Sequence, residues 1–170
     1  MHAGTDDEVK TLGQPAAGLL EFAQSQGYDW VYIDPSGPTC AIGLKDIDFV
    51  LRNKRNDAVK QALATGDAAA VVDALALGGV LLYAVAEKPD GSVQVRTSVS
   101  PAAEPVRLAF TSAAEVTARD SADAFGTIDM ATVVADALQH PFTALVLNPS
   151  GPWMALSHDQ LREVQARLAP

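Results

Sequence analysis

Three sets of residues in this chain have the types that could carry chemistry. Cys40 with His158 would make a thiol nucleophile and its base. Ser150, His158 and Asp159 would make a hydroxyl triad if the fold brought them together. The histidines, His2, His140 and His158, would hold zinc only if clustered with acidic or thiol ligands. Spacing argues against each. His158 and Asp159 are neighbours at the start of a helix-like segment and so point apart, and no G-x-S-x-G elbow surrounds Ser150. The histidines are scattered. Neither phosphate-binding glycine motif occurs, and Gly78-Gly79 precedes an apolar run where a phosphate loop would follow one. No catalytic residue, metal or cofactor is expected.

The elements that would position any site are announced by a repeated turn. Asp34-Pro35-Ser36-Gly37-Pro38 returns as Asn148-Pro149-Ser150-Gly151-Pro152, offset by 114 positions (148 − 34). The order suits a type I turn: an Asx whose side chain accepts a nearby N–H, a proline already at the required φ, a tolerated serine, and a glycine free to take positive φ. Apolar runs flank both copies: Trp30–Ile33 and Cys40–Ile42 around the first, Ala144–Leu147 and Met154–Leu156 around the second. Each copy therefore reads as strand, turn, strand. The continuous runs before the turns suit strands covered on both faces.

Aligned without gaps, Tyr28 falls on Phe142, Ile33 on Leu147, Ile42 on Leu156, Ile47 on Leu161 and Val50 on Val164. Apolar meets apolar, as in a structural repeat. The alignment places Cys40 on Met154, an apolar filler, which favours a packed thiol. Trp153 falls on Thr39 and is either a surface anchor for a partner or a cover for the core edge.

A chain of 170 residues has length enough for one domain with a real core. Aromatics make up 6% of it, so that core is built from Ala, Val and Leu. A net charge of −9 argues against nucleic acid, which demands a basic face, and favours neutral or basic partners. The single cysteine excludes an intrachain disulfide. No apolar run approaches the ~20 residues that cross a bilayer, and Met1–Thr11 lacks a signal-peptide core, so no membrane association and a cytoplasmic location are expected.

Along the chain, 1–13 reads as a disordered leader and 14–52 as an amino-terminal helix–hairpin–helix unit. The polar break at 52–57 then opens an α+β body over 53–170. Lys45, Arg52, Lys54, Arg55 and Lys60 gather near that break, as a solvated helix end or as a docking patch for an acidic partner. Two Ala-rich helices, about 56–65 and 67–77, lead to a strand over Val80–Val85. The Asp90-Gly91 turn follows, then an alternating strand through Val93, Val95, Thr97 and Val99. Another strand spans Val106–Phe110. Thr111 or Ser112 then caps a short helix. Residues 118–127 read as irregular. Met130, Val133, Val134, Ala137 and Leu138 mark an amphipathic helix, and Leu161, Val164 and Leu168 stripe the last one. The fold expected is α+β: one domain with a mixed or antiparallel sheet flanked by helices, carrying two related helix–strand–Pro-Ser-Gly-Pro–strand–helix units.

The paired helices leading into Val80–Val85, the Leu108-Ala109-Phe110-Thr111-Ser112 junction, and Leu145 to Pro152 together resemble the SseB (enhanced serine sensitivity) N-terminal domain family, over about Asn53 to Leu168. The resemblance implies an α+β domain with a regulatory or protein-binding role and brings no catalytic residues with it.

The function expected is a non-enzymatic protein-interaction or regulatory module, adaptor-like or immunity-like. The alternative is a small-ligand sensor or weak hydrolase with both Pro-Ser-Gly turns lining one cleft. Under either reading the contact candidates are Asp34, Ser36, Gly37, Asn148, Ser150, Gly151 and Trp153, with Arg52, Lys54 and Arg55 as a basic patch. The partner would be another protein. The broad apolar arc of Ile47, Phe49, Val50 and Leu51, where Phe49 stands at the position of Glu163 in the second copy, is expected to be covered by another element of the same chain or, in a homodimer, by a second chain.

Overall fold

The computed structural model describes residues 16–33, 37–88 and 90–168. The expected leader and the turn positions Asp34 and Ser36 lie outside the described residues. The fold is α+β, and the chain divides into two compact units, Met1–Arg52 and Asn53–Pro170.

In the first unit, helix α1 (Ala16–Ser25) ends at Gly27, whose φ of 71° supplies the left-handed residue that closes a helix. Strands β1 (Trp30–Ile33) and β2 (Cys40–Gly43) form an antiparallel hairpin with Trp30 opposite Gly43 and Ile33 opposite Cys40. Helix α2 (Leu44–Arg52) follows directly. Only two hydrophobic side chains are fully buried among the described residues of this unit, Ala23 and Ile47. Phe49, Val50 and Leu51 are half-buried, so the apolar arc of α2 is partly covered.

The second unit opens with the helical hairpin α3 (Asp57–Thr65) and α4 (Ala68–Ala76). Asn56 caps α3 through Val59 N–H at 3.1 Å, and Asp67 caps α4 through Ala69 N–H at 2.9 Å. Gly66, at φ 71°, turns the chain between them. The Asn56 amide also donates to the Val80 carbonyl at 3.2 Å, tying the start of the hairpin to the strand that follows it.

Strand β3 (Val80–Glu87) pairs antiparallel with β4 (Val93–Val95) on one side and β7 (Ala124–Asp129) on the other. Strands β5 (Thr97–Val99), β6 (Pro105–Ala109), β8 (Ala144–Leu147) and β9 (Met154–Ser157) form a second sheet in the order β5-β6-β8-β9, with β6 and β8 parallel and the other pairs antiparallel. The two sheets join where Leu82 and Phe110 exchange backbone hydrogen bonds of 2.8 and 2.9 Å.

Two expectations are corrected here. The alternating stretch 93–99 is not one strand. It breaks at Arg96, whose N–H still bonds the Ala84 carbonyl, and each half serves a different sheet. Of the residues expected to be irregular, 118–127, the first two belong to the helix Ala113–Arg119 and the last four open β7. Its run Ala-Phe-Gly-Thr-Ile-Asp lacks a continuous apolar stretch because it is a half-exposed sheet edge.

Helices α5 (Ala113–Arg119), α6 (Met130–Ala137) and α7 (His158–Leu168) complete the unit. The core lies between α3, α4, α6 and α7 and one face of the sheets, with Val59, Val71, Leu75, Val133, Leu145, Leu147, Leu156, Leu161 and Val164 all fully buried. Each such side chain contributes roughly 1.5–3 kcal/mol.

The repeat holds at the level of structure. Adding 114 to the bounds of β1 and β2 gives those of β8 and β9, and the cross-strand registers coincide: Trp30 faces Gly43 as Ala144 faces Ser157.

Candidate functional site

Side chains alternate across β8. Leu145 and Leu147 point into the core, so Ala144 and Val146 point the other way. The same register carries Leu108 of β6 and Ala155 of β9 alongside Val146 on that second face. The strand expected to be covered on both faces is covered by helices on one. On this second face, where Val106 and Leu108 are buried and Val146 is half-buried, lies a groove of about 530 Å³. Its floor is apolar, with Val106, Leu108, Val146 and Ala155. Ser98, Ser100 and Glu104 supply polar groups at one side, and Pro149 and Trp153 stand at the other. The alanines at 144 and 155 make the hollow, because a larger side chain at either position would fill it.

Trp153 is 61% exposed and lines the groove, a position compatible with either of its two readings. The turn beside it is held from behind. Asn148 is buried, and its Oδ1 accepts from Thr111 N–H while its Nδ2 donates to Thr111 Oγ1, both at 2.9 Å. Its carbonyl accepts from Gly151 N–H at 3.0 Å. The positive φ expected of the glycine belongs to Asn148, at 47°, a conformation asparagine tolerates well. Gly151 is close-packed instead: a β-carbon there would lie 2.8 Å from Glu115 Oε2, so the Glu115 carboxylate would have to shift. Glu115 is itself buried and paired with Lys60 at 2.7 Å. Asn148 and Gly151 therefore brace the groove wall. Ser150 is exposed beside them.

The remaining candidates are not among the residues that line the groove. Gly37 is exposed in the first unit, where its carbonyl accepts from Thr39 Oγ1 at 3.3 Å. Arg52 is exposed in the last turn of α2, where a cation suits the helix end, and Lys54 is exposed. Arg55 is paired with Asp57 at 2.9 Å. Cys40, expected to be packed, is exposed because β2 runs along the surface of a small unit. The His158 Nε2 lies 3.2 Å from the Ala137 carbonyl and Asp159 engages Arg162 at 2.7 Å, so these two triad members face other groups. Among the described residues no cluster of His, Cys, Asp and Glu could hold a metal ion, and no helix is long and apolar enough to cross a membrane.

On the helix-covered face of the same sheet, Arg107 is clamped between the rings of Tyr83 and Phe142, at 5.1 and 4.3 Å from their centroids, and pairs with Asp136. The Tyr83 hydroxyl donates to Asp136 Oδ2 at 2.9 Å. Burial, and then the bond to Asp136, push the Tyr83 phenol above its ordinary value of 10.0. The folded protein keeps this proton where the unfolded chain has lost it. The contribution is therefore complete below pH 10 and is lost as pH rises through the higher folded value. Urea midpoints measured between about pH 8 and pH 11 should fall above pH 10, and Tyr83→Phe should flatten that slope.

Sequence reasoning found Trp153 and the turn but missed the groove floor. Thr111 and Glu115, which hold the turn, carry no local signal, since both reach it from more than thirty residues away. The family model for the SseB protein N-terminal domain matches residues 57–163, which contain the groove and its supports. Comparison with curated proteins and with solved structures gives no match.

Proposed function

The chain belongs to the SseB N-terminal domain family, and from that premise we propose that it is a non-enzymatic protein-interaction module, regulatory in the manner of an adaptor or immunity protein. It receives another polypeptide on the face of β5, β6, β8 and β9 that carries the groove. The observation that supports this reading is the apolar groove with an exposed tryptophan at its rim. A buried floor flanked by a large aromatic is how interfaces concentrate binding energy. The row Leu108, Val146, Ala155 offers sites for alternate side chains of an extended segment, and the net charge of −9 favours a neutral or basic one.

A small ligand is the second reading, because 530 Å³ lies within the usual range for such sites. Affinity capture from cell extract with wild-type, Trp153→Ala and Val146→Glu chains separates the two. A protein partner should be retained by the wild type and weakened by Trp153→Ala by about 2 kcal/mol, roughly thirtyfold. Equal capture by all three chains removes the groove from the account. Thermal stabilisation of the wild type by a metabolite, with no protein retained, favours the ligand.

A further inference from the structure

The internal repeat shows what completes a hairpin of this kind. In the second copy the outer edge of β8 is filled by β6. In the first copy, among the described residues, β1 pairs with β2 alone and no strand occupies the equivalent edge. Leu44 N–H donates to the Asp29 carbonyl at 2.9 Å. Following that register along the hairpin, Asp29, Val31 and Ile33 turn their backbone groups toward β2, while Trp30 and Tyr32 turn theirs outward. The edge Trp-Val-Tyr-Ile carries no charge, no proline and no bulge, the devices that protect an edge from pairing.

The side chains around this edge differ from their counterparts in one direction. Phe22 stands where the second copy has Asp136, Trp30 where it has Ala144, and Tyr32 where it has Val146. Asp136 is the counter-ion of Arg107 on β6, so position 22 is where α1 overlooks the strand that would fill the gap. Phe22, Trp30 and Tyr32 are 52%, 55% and 60% exposed, and Phe22 meets Tyr28 edge-on at 6.4 Å. The charge that would receive a cationic strand has been replaced by an aromatic ring. An uncharged patch suits a two-fold contact, because there the patch as a whole meets a second copy of itself and a net charge would face its like.

We propose that the β1 edge is a dimerisation surface whose occupant is the β1 edge of a second copy of this chain, paired antiparallel about a two-fold axis at Val31. That register sets Trp30 opposite Tyr32 of the second copy and uses every outward backbone group on the strand. It also keeps α1 and α2 of both copies on one side of a four-stranded sheet, bringing each Phe22 toward its own copy. A unit whose described residues bury only Ala23 and Ile47 among their hydrophobic side chains gains further core.

Light scattering on the full chain at about 100 µM, well above the dissociation constant of a standard interface, should give twice the chain mass of 17.8 kDa. Tyr32→Pro removes an outward donor and no bond to β2, and should give the monomer with an unchanged circular dichroism spectrum. If that variant fails to fold, Trp30→Lys with Tyr32→Lys should give the monomer instead. Trp153→Ala, in the groove, should leave the dimer intact. A monomeric wild type overturns the proposal, as does a dimer that survives both edge variants.

Discussion

Asn148→Ala lowers the stability of the second unit by about 3 kcal/mol. The asparagine makes two buried hydrogen bonds to Thr111, each contributing about 1 kcal/mol, and its removal strands the Thr111 N–H in the interior. A left-handed φ of 47° adds about 1 kcal/mol against alanine. Asn148→Gly should recover that last part alone, because it relieves the backbone and leaves Thr111 unbonded. The difference between the two variants in urea unfolding therefore measures the backbone contribution. A cost below about 1 kcal/mol for Asn148→Ala would mean that the turn is not held from behind as described.

Phe110→Ala costs about 4 kcal/mol, in the range for emptying a buried aromatic site. Phe110 is fully buried at the one backbone bridge between the two sheets of the second unit, and its N–H and carbonyl bond Leu82. Loss of the ring leaves a cavity where β3 and β6 meet, so both sheets should loosen together. Hydrogen exchange should rise at Leu82 in β3 and at Leu108 in β6. Leu77→Ala, at a position 80% exposed, should change stability by no more than about 0.5 kcal/mol. A similar small effect for Phe110→Ala would mean that the sheets are stabilised independently.

Much of this fold is legible in the residues because its signals are local. The turn sequence and the apolar residues matched across 114 positions announce two hairpins, and the strands occupy matching bounds in matching register. The two Ala-rich helices form as expected, with Gly66 closing α3 at a left-handed φ and Asp67 capping α4 through Ala69 N–H. What the sequence hides depends on neighbours far along the chain. The switch of sheets at Arg96 is invisible because Val93, Val95, Thr97 and Val99 alternate without a break. Strand β7 is hidden because an edge needs no apolar run. The groove arises where β6 enters beside β8, and no residue of β8 records which face the helices will leave open. Asn148 looks like a turn residue making its own local bond, and only the fold shows that its partner is Thr111.

A polypeptide seated, as proposed, on the β5-β6-β8-β9 face beside Trp153 lies within reach of a photo-reactive group at that position. The most direct measurement is photo-crosslinking in cells from benzoylphenylalanine placed at Trp153, with the same group at Leu77 as the control. The account predicts a discrete protein adduct from position 153 that is absent from position 77. Identical adduct patterns from the two positions, or none from 153, would contradict it.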